Sequence, residues 1–150
     1  MRQLVEKTLA DLGYYTPDSA NLVLGTIAQE SAYGKYRKQL GNGVALGICQ
    51  IEPNTFNDIV NNYLKYHPEL IEKIKLVCDV SELNLSDLYL NDRLSICMCR
   101  VHYLRQKGAI PGDLIGQANY YKKYYNTYLG KATVQQYIDN FNRYVVNDLN

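Results

Sequence analysis

Apolar positions in this chain recur at helical spacing over most of its length. Leu4, Val5, Leu9 and Leu12 form one stripe, and Gly13 stops it. Thr16 and Pro17, a capping residue followed by a first-turn proline, predict the start of a second helix. Its stripe of Leu22, Val23, Leu24, Ile27 and Ala28 is wide, which predicts a central position, and it runs out at Gln29-Glu30-Ser31. Residues 34–47 carry Gly34, Gly41, Gly43 and Gly47 and predict a loop, with a small extended element near residues 40–51. Pro53-Asn54-Thr55 opens a third helix through Phe56, Ile59, Val60, Tyr63 and Leu64, and Pro68 a fourth through Leu70, Ile71, Ile74 and Val77. Residues 79–91 predict loop with room for one turn. A fifth helix spans 92–107 and ends at Gly108, and a sixth starts at Pro111-Gly112-Asp113 and runs towards Tyr128. Gly130 breaks the chain, and Thr133-Val134-Gln135-Gln136 fits a capping box for the last helix. The loops are short and no repeat is present, so the expectation is one mainly α domain over residues 1–150.

A net charge of about +1 without a basic block argues against nucleic-acid binding. The four cysteines, Cys49, Cys78, Cys97 and Cys99, match no zinc spacing and have two histidines to draw on. They read as reduced, buried thiols, with no metal and no organic cofactor expected. Residues 1–12 are charged throughout and lack the apolar core of an export signal, so synthesis in the cytoplasm without a signal peptide is expected. No run approaches the roughly 18 apolar residues of a membrane span. Fifteen Tyr stand against two Phe and no Trp. Phenols suit polar ligands such as sugars, and equally the edges of a core.

Glu30 is the residue that asks for an explanation. A carboxylate at the C-terminal end of a helix opposes the helix dipole. It is either a solvated end residue or an acid half-sunk in an apolar cleft. In the second case desolvation raises its pKa and lets it protonate a leaving-group oxygen near neutral pH.

The run AQES at 28–31, Gly34, and GVALGICQIEPNT at 43–55 resemble the lytic transglycosylase and goose-type lysozyme superfamily. There a Glu-Ser pair ends a central helix, and a G-x-x-Q-I segment and a Thr-containing helix start follow. Here those residues are Glu30, Ser31, Gly47, Gln50, Ile51 and Thr55. LNDRLSICMCRVHYL at 90–104 resembles the family's helix behind the cleft, and YYNTYLGKATVQQYI at 124–138 its Tyr-Asn motif, turn and helix. The Y-N-T-x-x-G-x-x-T form is similar to domains of bacteriophage proteins.

The resemblance implies a lysozyme-like fold and cleavage of the β-1,4 bond between N-acetylmuramic acid and N-acetylglucosamine in peptidoglycan. It implies Glu30 as the single acid and then base, with the muramoyl 6-hydroxyl attacking to leave a 1,6-anhydro end. Ser31 is expected to orient Glu30 or the sugar, and Gln50 and Ile51 to line the cleft. Tyr125 is expected to hydrogen-bond Glu30, and Asn126 to contact the substrate or brace the loop. ANYY at 118–121 holds a second Asn-Tyr pair, but 125–126 is preferred because the Gly130 turn and Val134 follow it. The loop glycines are expected to admit a glycan strand closely. The implied partners are peptidoglycan strands and other phage tail proteins, and the implied setting is a virion or the cell wall. Two alternatives stand beside this. One is a hydrolytic lysozyme using Glu52 or Asp58 as base, which needs carboxyl groups roughly 6.5–9.5 Å apart. The other is a tail or neck component whose catalysis is secondary or lost.

Overall fold

A computed structural model describes residues 1–39, 41 and 43–148. The chain is mainly helical, as the periodicity predicts. Helix α1 (Arg2–Leu12) stops where Gly13 adopts a left-handed φ of 87° and returns its N–H to the Leu9 and Ala10 carbonyls. Helix α2 (Pro17–Ser31) starts with a reciprocal cap between Thr16 and Ser19. Leu22, Val23, Leu24 and Ile27 are fully buried, worth roughly 1.5–3 kcal/mol each. The wide stripe thus makes α2 the central helix, in contact with α1 and with the later helices α5 (Asp92–Leu104), α6 (Leu114–Tyr121) and α7 (Val134–Asn140). Gly25 permits this closeness. A Cβ there would lie 2.1 Å from the Tyr137 hydroxyl, which packs against the helix and donates to the Leu22 carbonyl at 3.2 Å.

Helices α3 (Pro53–Asn62) and α4 (Pro68–Cys78) complete the set, with short 3₁₀ turns at Leu64–Tyr66 and Leu85–Tyr89. Helix α5 ends three residues before the expected Lys107. Its last turn tightens, with Gln106 N–H on the Tyr103 carbonyl at 3.0 Å. Helix α6 continues into a wide π-type turn, Lys122–Asn126, in which the Thr127 N–H reaches the Lys122 carbonyl five residues back at 2.8 Å. Helix α7 carries the expected Thr133–Gln136 capping box. All four cysteines are free and buried, and Cys78 and Cys97 bring their sulfurs to 3.7 Å between α4 and α5.

The extended element expected near 40–51 is a pair of isolated antiparallel bridges, Lys38 with Leu46 and Leu46 with Ile51. Leu40 and Asn42, which fall in or beside it, lie outside the described residues. Gly47 closes the tight turn between the bridges with φ 82°, and a Cβ there would sit 2.2 Å from the Leu88 carbonyl oxygen. This glycine is therefore needed for packing against the 3₁₀ turn, not for approach to a ligand.

Candidate functional site

The end of α2, the Gly47–Ile51 turn, the start of α3, the end of α5 and the Tyr125–Ala132 segment enclose a cleft of ≈ 660 Å³. Glu30 lines it, with Gln50, Glu52 and His102 among the other lining residues. Immediately after Glu30 and Ser31 the backbone turns left-handed at three successive residues: Ala32 (φ 49°), Tyr33 (φ 63°) and Gly34 (φ 91°). Non-glycine residues in that region store strain. It is held by the Tyr33 N–H on the Ile27 carbonyl (3.2 Å), by the Gly34 N–H on Ser31 Oγ (2.9 Å), and by Tyr33 Oη on Asp148 (2.5 Å).

Glu30 is partly buried, and its carboxylate accepts a short hydrogen bond from Tyr121 Oη. Desolvation pushes its pKa from the ordinary 4.5 up to about 7, the Tyr121 bond opposes that rise, and the charge of Glu52 adds to it. In return burial, above all, and then the Glu30 charge push the Tyr121 phenol far up, so Tyr121 stays a neutral donor. The cleft therefore holds a carboxyl group that is partly protonated at neutral pH, aimed by a fixed phenol.

The structure corrects the expected Tyr125–Glu30 bond. Tyr125 lines the cleft, but its hydroxyl donates to the Cys49 carbonyl at 2.6 Å, and Tyr121 takes the place beside Glu30. The two rings stack at 5.8 Å. The π-type turn that begins at Lys122 swings Tyr125 away from α2 and onto the Gly47–Ile51 turn, where it anchors the cleft wall. The ANYY run contains the residue that holds Glu30, through its last tyrosine.

Ser31 is also corrected. It is fully buried and does not line the cleft. Its hydroxyl lies 2.6 Å from the Ile48 carbonyl and 3.0 Å from the Ile27 carbonyl, so it ties the helix end to the returning loop. Gln50 lines the cleft with its backbone at φ 49°, and its amide donates to the Gly47 carbonyl at 2.9 Å. Ile51 lines it too, locked by paired backbone bonds to Leu46 of 3.0 Å each. Asn126 faces the cleft and accepts from Lys122 Nζ at 2.7 Å, which braces the loop to Gly130.

The two candidate second carboxylates separate. Glu52 lines the same cleft as Glu30 and acts on it electrostatically. Asp58 is outside the cleft lining, bound to Arg105 at 2.7 Å and to Asn62 at 2.7 Å, and these bonds hold its carboxyl below the ordinary range. Among the described residues no cluster of His, Cys, Asp and Glu could hold a metal ion. No helix among them is long and apolar enough to cross a membrane.

Sequence reasoning passed over His102, which also lines the cleft and rests edge-on against Tyr125 at 5.1 Å. Its spacing from Arg105, three residues on one helix, was a usable signal, because such pairs share a face. Behind the cleft, tyrosines pack on one another: Tyr103 on Tyr125 at 5.3 Å and Tyr121 on Tyr137 at 4.9 Å. Each phenol has its own partner, Tyr103 meeting Thr26 Oγ1 at 2.8 Å. Tyr103 and Tyr137 are thus polar cement of the core rather than ligand surface.

Comparison of the chain with family models, with curated proteins and with solved structures gives no match.

Proposed function

We propose that the cleft cleaves the β-1,4 bond between N-acetylmuramic acid and N-acetylglucosamine in bacterial peptidoglycan, with Glu30 as the acid. The observation that carries this reading is the Glu30 carboxyl itself, lining a polar cleft, held by Tyr121 and raised to about 7. A group with that pKa gives up a proton to a glycosidic oxygen at neutral pH and takes one back afterwards. The order of the Glu-Ser, Gly-x-x-Gln-Ile and Tyr-Asn-Thr motifs supports the lytic transglycosylase class and a lysozyme-like fold. In that mechanism Glu30 protonates the leaving oxygen as the sugar becomes oxocarbenium-like. It then accepts the proton of the muramoyl 6-hydroxyl as that oxygen closes a 1,6-anhydro ring. Gln50, Ile51 and Asn126 form walls for the strand. The bacteriophage-like Tyr-Asn-Thr form supports a virion-associated or lysis role, with peptidoglycan and neighbouring tail proteins as partners.

A hydrolytic second reading has one observation in its favour: Glu52 shares the cleft with Glu30. A carboxylate there could activate a water on the far face of the sugar. Asp58, engaged by Arg105, is unsuited to that task. Digesting purified peptidoglycan and weighing the fragments separates the readings, since the lyase leaves anhydro ends and the hydrolase leaves reducing ends. A wild-type protein inert on purified walls would favour the structural tail component.

A further inference from the structure

His102 contributes a group to the cleft that no step above uses. Arg105 donates from one guanidinium nitrogen to Asp58 Oδ2 at 2.7 Å and lies with the other 2.8 Å from His102 Nδ1. A guanidinium has donors and no acceptor. His102 Nδ1 must therefore be the acceptor, and the proton of the neutral ring lies on Nε2. Nε2 has no hydrogen-bond partner among the described residues. The ring that carries it lines the same cleft as Glu30.

We propose that His102 is a ligand-binding residue, presenting a neutral Nε2–H to a sugar oxygen, hydroxyl or acetamido carbonyl. Arg105 and Asp58 are the positioning pair that fixes the ring in that form. The proposal rests on the glycan-cleaving reading of Glu30. A neutral donor suits uncharged sugar oxygens. A protonated ring would instead pair with the carboxylates that line the cleft, Glu30 and Glu52, and draw its walls together. The fold guards against that. Burial first, then the Arg105 charge, push the His102 pKa down to about 4, and Asp58 on α3 only partly offsets them. His102 therefore stays neutral across the range in which Glu30 titrates.

The test is a nitrogen NMR titration of the full-length Glu30→Gln protein with an N-acetylglucosamine–N-acetylmuramic acid tetrasaccharide. His67 is the other histidine, so loss of one ring's signals in His102→Phe assigns the spectrum. The expected result is a protonated Nε2 and an unprotonated Nδ1 before ligand, with the Nε2 signal moving as the tetrasaccharide binds. His102→Phe should bind about three- to tenfold more weakly, the worth of one neutral hydrogen bond. His102→Gln, which keeps a donor, should recover part of that. Arg105→Met should populate the other tautomer and weaken binding without touching the sugar. Circular dichroism of each variant checks that it is folded. A proton on Nδ1 in the free protein overturns the proposal. So does tetrasaccharide binding that leaves the His102 signals and the His102→Phe and His102→Gln affinities unchanged, and in both cases the Glu30 reading survives. Failure of Glu30→Gln to bind, together with a wild type that leaves peptidoglycan intact, overturns both.

Discussion

The two sides of the cleft are built differently. The rear side is the end of α2 against α6, where Glu30 meets Tyr121 and Tyr121 packs on Tyr137 in the core. Tyr121 and Tyr137 are fully buried and Glu30 partly so, and each has a hydrogen-bond partner. The front lip, Thr127 with Leu129 and Gly130, is open. Leu129 is 80 % exposed. Thr127 there adopts φ 67° with ψ 171°, a conformation that ordinarily belongs to glycine. On the proposed reading, the contrast corresponds to the two tasks of a glycan-cleaving cleft. A proton donor must be aimed, which needs a desolvated, over-determined wall. A polymer must enter and leave, which needs a wall with few commitments.

The largest expected break is at the rear. Glu30→Gln should keep the fold and lose about 10²–10⁴-fold of peptidoglycan cleavage, because amide replaces acid without changing shape. Turbidity loss of purified walls measures it. The same substitution should make the protein more stable in alkali. The folded-state pKa of Glu30 is raised from 4.5 to about 7. Its protonated form therefore contributes fully below pH 4.5, and that contribution is lost as pH rises through about 7. Glu30→Gln has no proton to lose, so at pH 8 it should exceed wild type by up to about 3 kcal/mol in urea unfolding, with the two curves converging in acid. Equal stabilities at both pH values would mean that Glu30 is solvated, and the rear wall would lose its meaning.

A finer break uses the two neighbours of Glu30. Tyr121 lowers its pKa and Glu52 raises it. Tyr121→Phe should move the alkaline limb of the pH–rate profile up and reduce the rate by about tenfold, since it removes one hydrogen bond to the acid. Glu52→Gln should move the same limb down and keep most of the rate if the enzyme is a lyase. Shifts of the same sign would contradict the electrostatic picture, and a dead Glu52→Gln would select the hydrolase. The smallest effect belongs to the lip. Leu129→Ala should change stability by less than about 0.5 kcal/mol, as exposed side chains do, and raise KM a few-fold with kcat intact.

What could be read from the chain alone follows the range of the forces involved. The Gly13 stop, the Thr16 cap and the Thr133 box depend on residues a few positions apart, and all are where the sequence places them. Glu30 was legible because the Glu-Ser pair and the Gly-x-x-Gln-Ile segment that follows it single it out from a solvated helix end, and it does line the cleft. Tyr121 was not separable from Tyr125. In a regular helix residues four apart share a face, and the turn at Lys122–Asn126 is widened to π-type. Ser31 was assigned to the ligand side because the motif places it beside the acid, but its hydroxyl serves the Ile48 carbonyl. The link of His102 through Arg105 to Asp58 joins α5 to α3, and such a crossing is invisible until the helices are packed.

Whether Glu30 is the acid of a glycan-cleaving cleft is decided by mass spectrometry of fragments from purified peptidoglycan. Wild type and Glu30→Gln are incubated side by side at pH 6, below the pKa of about 7 at which the acid loses its proton. The expected products are muropeptides with 1,6-anhydro ends from wild type and intact strands from Glu30→Gln. Equal fragment yields from the two proteins would contradict that role for Glu30.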